Sequence, residues 1–141
     1  MKNIAVIYWS DGGNVEVLAN SIIKGAEGEG AKVAAKHVQD AKVGDVTSAD
    51  TVAFGSPSLD NNKIEQDYMA PFIKEFKLIP LQGNKVVLFG SYGWDEGKFL
   101  KDWKKTVEDY GFKVVGELAV KEAPTDDELK KAEELGKLLA K

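Results

Sequence analysis

Lys85-Val86-Val87-Leu88-Phe89-Gly90-Ser91-Tyr92-Gly93-Trp94-Asp95-Glu96-Gly97-Lys98 sets an unbroken apolar run against a glycine-rich loop and the start of a helical pattern. A short apolar run bounded by turn residues is the mark of a strand buried on both faces, as in a parallel sheet. After the loop, Lys98–Tyr110 carries Phe99, Leu100, Trp103, Val107 and Tyr110 at helical spacing. The same unit of strand, loop and helix stands at the start of the chain. Lys2–Tyr8 holds Ile4-Ala5-Val6-Ile7, Trp9–Asn14 is a polar loop, and Val15–Glu29 places Val15, Leu18, Ala19, Ile22, Ile23 and Ala26 on one helical face. It stands again in the middle, where strand Thr51–Gly55 leads through Ser56–Lys63 into a helical stretch over Ile64–Phe76. Pro71 makes the first part of that stretch irregular. Lys32–His37 and Lys113–Val120 add two strands, and Val38–Asp50 is a long connection with a poor helical turn near Val43–Val46. Thr125–Ala140 is a closing amphipathic helix, with Thr125 as N-cap and Asp126, Asp127 and Glu128 in its first turn.

Five strands alternating with helices predict an α/β fold: an open parallel sheet covered on both faces. Right-handed crossovers leave few topologies, and the order 2-1-3-4-5 suits this element count best. No repeat or linker interrupts the pattern, so residues 1–141 read as a single domain. In such sheets ligands bind beyond the carboxyl ends of the strands, at the switch point beside strand one. Three loops leave strand ends there: Trp9–Asn14, Ser56–Lys63 and Ser91–Gly97.

Composition removes several function classes. The chain has no cysteine and one histidine, which excludes disulfides, thiolate metal sites, a cysteine nucleophile and two-histidine zinc motifs. Its apolar fraction of 43% against 30% charged is that of a folded domain rather than a disordered one. No apolar run is long enough to span a membrane, and the N-terminus leads straight into a strand pattern, so the expected location is cytoplasmic. The net charge is −4 with lysines interleaved among acids, which argues against nucleic acid and for basic protein partners. His37, at the far end of strand two, reads as a surface residue.

The loops carry the chemistry. Trp9-Ser10-Asp11-Gly12-Gly13-Asn14 lies between a strand and a helix, where short polar residues and glycines aim backbone N–H groups at one spot beside a helix dipole. That arrangement suits an anion, although glycines also merely close tight turns. Neither the dinucleotide fingerprint nor the Walker pattern is present. In the third loop, Tyr92 and Trp94 stand between glycines, suited to stacking on a flat ligand or to packing back onto the fold. The second loop supplies polar contacts or a long surface turn.

Taken together these loops resemble the short-chain flavodoxins of the clostridial type, along the entire chain. The family's phosphate loop, Y-W-S-G-T-G-N-T-E, stands here as Tyr8-Trp9-Ser10-Asp11-Gly12-Gly13-Asn14-Val15-Glu16. Its third loop, L-F-G-S-Y-G-W, is matched in full by Leu88–Trp94, and Pro71-Phe72 fits its E-P-F stretch. The resemblance implies a flavodoxin-like three-layer sandwich and a monomer that binds FMN non-covalently and shuttles single electrons between a reductase donor and an oxidoreductase acceptor. It implies that Ser10, Asp11, Gly12, Gly13, Asn14 and Val15 hold the phosphate. Trp94 then covers the outer face of the isoalloxazine ring and Leu59 the inner face. Ser58, Asp60, Asn61 and Asn62 meet its N5 and N3 edge, while Ser91, Tyr92, Gly93, Asp95 and Gly97 line the pyrimidine side.

The departures fall on those same loops. One family glycine is Asp11 here, and its two threonines are Gly12 and Val15. Two hydroxyl donors at about 1.5–3 kcal/mol each amount to two to four decades of affinity. Asp11 adds repulsion of up to about 3 kcal/mol per phosphate charge at 5 Å. Its carboxylate either occupies the anion site itself or points to solvent. In the second loop the family's M-G-D/S-E becomes Leu59-Asp60-Asn61-Asn62, so the glycine whose peptide turns toward flavin N5 is missing. Two rivals keep the fold: a domain that has lost FMN and serves as a binding module or takes another flavin, and a flavin-dependent quinone reductase. A phospho-receiver is a third, but strands one and three end in Tyr8-Trp9-Ser10 and Gly55-Ser56, without the needed aspartates. No acid–base or nucleophile constellation is visible, which favours an electron carrier over an enzyme.

Overall fold

A computed structural model describes residues 2–59, 62–94 and 96–141. Five parallel strands, β1 (Asn3–Tyr8), β2 (Lys32–His37), β3 (Thr51–Gly55), β4 (Lys85–Tyr92) and β5 (Lys113–Lys121), form one sheet in the order β2-β1-β3-β4-β5. The helices are α1 (Asn14–Gly28), α2 (Val43–Thr47), α3 (Met69–Lys74), α4 (Lys98–Tyr110) and α5 (Asp126–Leu139). Alternation along each strand splits the core in two. Ile4, Val6, Ala53, Val87 and Phe89 pack with α1 and α5, while Ala5, Ile7, Val52, Phe54 and Leu88 pack with α2, α3 and α4. Both sets are almost fully buried, which is why the central strands read as continuous apolar runs.

The α1–α5 layer depends on a close approach of two backbones. A Cβ on Gly25 would lie 2.0 Å from the Glu133 carbonyl oxygen, and one on Gly136 would lie 2.0 Å from that of Ile22. Only glycine fits at either position. The opposite layer is an aromatic knot, with the Phe54 ring 5.7–6.5 Å from those of Phe72, Phe76, Trp103 and Phe112.

Three local readings change. The stretch Ile64–Phe76 is helical only over Met69–Lys74, followed by a 3-10 turn over Glu75–Leu78. β4 continues to Tyr92, because Ser91 and Tyr92 still pair with Val120 and Lys121 of β5. The weak turn near Val43 is a short helix whose Asp45 accepts from Lys42 N at 2.8 Å and from Lys36 Nζ at 3.1 Å. The Lys42 N–H bond, aided by the Lys36 cation, holds the Asp45 carboxyl below its ordinary value. Its stabilisation is therefore complete above the ordinary carboxylate range and is lost as pH falls through the lowered value. Asp45→Ala is expected to cost about 0.5–1 kcal/mol at neutral pH, the scale of an exposed cap. In urea titrations the gap to the parent should close in acid; a pH-independent gap would mean the carboxylate is not the cause.

Candidate functional site

All three loops emerge at the carboxyl edge of the sheet, between or beside β1, β3 and β4. The first is anchored at its start by Trp9 N–H donating to the Gly55 carbonyl at 3.0 Å. Ser10 follows with its N–H on His37 Nε2 at 3.2 Å, and its Oγ accepts from Glu16 N–H at 3.3 Å. Gly12 and Gly13 then turn with φ of 136° and 93°, a region that other residues enter only with strain. Gly13 is the N-cap of α1 and offers no side chain to its first turn. Among the described residues the N–H groups of residues 11–15 find no protein acceptor.

Those residues line a groove of about 210 Å³ together with Trp9, Ser10, Pro57, Leu59 and Ser91. Free donors at a helix N-terminus, curled round a concavity, fit a phosphate group. Asp11 is exposed and its carboxylate accepts no hydrogen bond from the described residues, the cradle's own N–H groups included, so it does not fill the cradle. The solvent-pointing alternative is the one observed. Val15 contributes only its main chain, because its side chain is 2% exposed and packs in the α1 core. A larger groove of about 320 Å³ runs along α4, against Ile64, Ile73, Phe99 and Trp103. It includes none of the first loop's donors, and the strand-end groove is the one with anion chemistry.

The second loop is a tight reversal. Leu59 N–H donates to the Lys63 carbonyl and Asn62 N–H to that of Leu59, both at 2.8 Å, with Asn62 at φ 57°. Ser58 N–H donates to the Ser91 carbonyl at 2.8 Å, which ties this loop to β4. Leu59 is left 41% exposed, an unusual position for a leucine beside a groove. Asp60, Asn61 and Asp95, named from sequence as ring-edge contacts, lie outside the described residues.

In the third loop the two aromatics part ways. Tyr92 ends β4 and packs against the core, whereas Trp94 is 93% exposed. Gly93 follows Tyr92, and Gly97 caps α4 with φ 87°. Leu59 and Trp94 are thus exposed apolar side chains on the second and third strand-end loops. A flat apolar ring would suit both. With the phosphate cradle adjoining Leu59, the residues present fit FMN.

Sequence reading missed two residues here. His37 is not a free surface side chain: the β1–β2 register sets it opposite Tyr8, beside the first loop. Glu65 is 3% exposed and holds the exit of the second loop. Its Oε1 accepts from Tyr68 N–H at 2.8 Å and Met69 N–H at 2.7 Å, and its Oε2 accepts from Asp67 N–H at 2.8 Å. A glutamate four residues ahead of a helix was the available signal.

The family model described as flavodoxin matches residues 6–136. A flavodoxin of Megasphaera elsdenii is 38% identical over 139 residues, covering 98% of both chains. A flavodoxin of Clostridium beijerinckii is 32% identical over 135 residues, covering 96% of this chain and 97% of that one. The solution structure of two-electron reduced Megasphaera elsdenii flavodoxin superposes with a TM-score of 0.87 over 97% of this chain and 98% of its own, at 35% identity. Flavodoxins are FMN-binding electron carriers rather than enzymes. The chain belongs to the flavodoxin family.

Proposed function

We propose that this flavodoxin holds FMN across its three strand-end loops, with the phosphate in the first. The observation that carries this is the set of unpartnered N–H groups of residues 11–15 lining one groove with Leu59 and Ser91. When bound, FMN supplies the one-electron chemistry. The chain's own residues bind and orient it. Asp11, Gly12, Gly13, Asn14 and Val15 donate through main-chain N–H groups, Ser10 offers its hydroxyl, and α1 adds its dipole. Leu59 and Trp94 cover the two faces of the ring and exclude water from it. Ser58, Asn62, Ser91, Tyr92, Gly93 and Gly97 frame its polar edges.

Electron partners with basic docking faces match the net charge of −4. Large apolar side chains outside the site loops are exposed only at Val17, Tyr68 and Leu78 among the described residues, which supports a monomer. Residues 1–141 act as a single unit in this reading, and its place is the cytoplasm. Among the described residues no helix is long and apolar enough to cross a membrane.

Fluorescence-quenching titrations of the apoprotein with FMN and riboflavin test the site. Both should be quenched on binding, and FMN should bind more tightly; riboflavin binding equally well would remove the phosphate from the first loop. Asp11→Gly should then sharpen the preference. An exposed carboxylate near a phosphate costs about 1 kcal/mol, so FMN should bind five- to tenfold tighter with riboflavin unchanged. Equal gains for both ligands would show that Asp11 acts on loop folding instead.

A further inference from the structure

His37 Nε2 accepts the Ser10 backbone N–H at 3.2 Å, at the first residue of the phosphate loop. The imidazole packs edge-on to Tyr8 at 5.8 Å and tilted against Trp9 at 6.2 Å. A backbone N–H only donates, so Nε2 presents a lone pair and the ring's single proton sits on Nδ1. Nδ1 is buried and has no partner among the described residues. In this arrangement the ring's one acceptor is engaged with the loop.

Protonation at Nε2 would set two N–H groups head-on, so the Ser10 N–H must turn away from the ring. That event releases one more donor at the edge of the cradle and places a cation beside it. Both changes favour a phosphate dianion. The loop itself, Trp9 to Val15, contains no lysine or arginine that could do so.

We propose that His37 is a positioning residue for phosphate recognition, and that FMN binding draws a proton onto its imidazole. The inference rests on the reading of the first loop as the phosphate site. The titratable groups on the surrounding elements are Tyr8 on β1, Asp11 in the loop, Glu16 on α1 and Asp40 in the turn after β2. Tyr8 keeps its proton further into alkali through burial and then through Glu16. Lys36, on the imidazole's own strand, is engaged by Asp45 at 3.1 Å. Among side-chain types, an imidazole is the one that ordinarily changes charge near neutrality.

The test compares the full chain with His37→Gln, whose amide oxygen accepts the Ser10 N–H but takes up no proton. FMN and riboflavin affinities are measured for both proteins from about pH 8 down to about pH 6, a span that crosses the imidazole range. The phosphate's own ionisation is common to both proteins and cancels in the comparison. The FMN-to-riboflavin affinity ratio of the parent should rise about three- to tenfold relative to that of His37→Gln over this span. Independently of any variant, the NMR signals of the chain's single histidine at about pH 6.5 should report proton uptake on adding FMN and none on adding riboflavin. Superposable pH profiles, or histidine signals equally indifferent to both ligands, would overturn the proposal. Failure of FMN to bind the parent at any pH would overturn the phosphate-loop reading itself.

Discussion

Glu65→Ala should lower the stability of the fold by about 3–5 kcal/mol, because it strands three backbone donors that have one common acceptor. The N–H groups of Asp67, Tyr68 and Met69 all point at the Glu65 carboxylate, at 2.7–2.8 Å. Water has little access to the carboxylate or to the Met69 N–H, since Glu65 is 3% exposed and Met69 fully buried, whereas Asp67 and Tyr68 stand nearer the surface. A buried acceptor shared by charge-assisted bonds is worth far more than an exposed cap, and its charge also complements the N-terminus of α3. Glu65→Gln keeps an oxygen for Tyr68 and Met69 and turns an amide toward Asp67, so it should cost about 1–2 kcal/mol. Urea denaturation of the three proteins orders them. A Glu65→Ala loss below about 1 kcal/mol, the scale of a single net hydrogen bond, would mean that the segment rearranges to find other acceptors. The same residue fixes the exit of the loop that carries Leu59 (Glu65 N–H donates to Ser56 Oγ at 2.9 Å). With the ring placed against Leu59 as proposed, any effect on flavin binding should fall equally on FMN and riboflavin.

Glu65 also marks where the sequence stopped being legible. Ile64, Met69, Phe72 and Phe76 lie at spacings that satisfy a helix, and periodicity alone cannot see that a carboxylate holds residues 65–69 in a cap rather than a turn of helix. The strands were legible because burial on both faces removes alternation and leaves plain apolar runs. Once five such runs alternate with helices, handedness and the switch-point rule place three loops at one edge. His37 was misplaced for a reason that topology could have corrected. Parallel neighbours share their carboxyl ends, so the last residue of β2 must lie beside the loop that leaves β1. The split between Tyr92 and Trp94 was not readable at all, because it turns on how far β4 stays paired with β5. Nor was the Gly25–Gly136 approach, which pattern reading treats as two ordinary helical glycines. Val15 shows the converse limit: a residue in the loop motif whose side chain belongs to the core, leaving only its main chain to face the groove.

The other large effect is expected at Phe54→Ala, about 3–5 kcal/mol, the range for emptying a buried aromatic site. Phe54 is fully buried, and four aromatic rings close on it: Phe72 from α3, Phe76 just after it, Trp103 from α4 and Phe112 ahead of β5. None of these rings can collapse into the gap without moving its own element, so the cavity term should be near the upper end. The loss should also reach the site. The helices that carry Phe72 and Trp103 follow the second and third loops, which present Leu59 and Trp94. Leu139→Ala provides the contrast, since Leu139 is equally buried but lies on α5, a helix that follows β5 rather than any strand-end loop of the site. At matched stability loss in urea, Phe54→Ala should weaken riboflavin as well as FMN binding, whereas Leu139→Ala should leave both near the parent. If the two variants weaken flavin equally, the layers are mechanically coupled through the sheet and the aromatic knot has no special hold on the ring-binding loops.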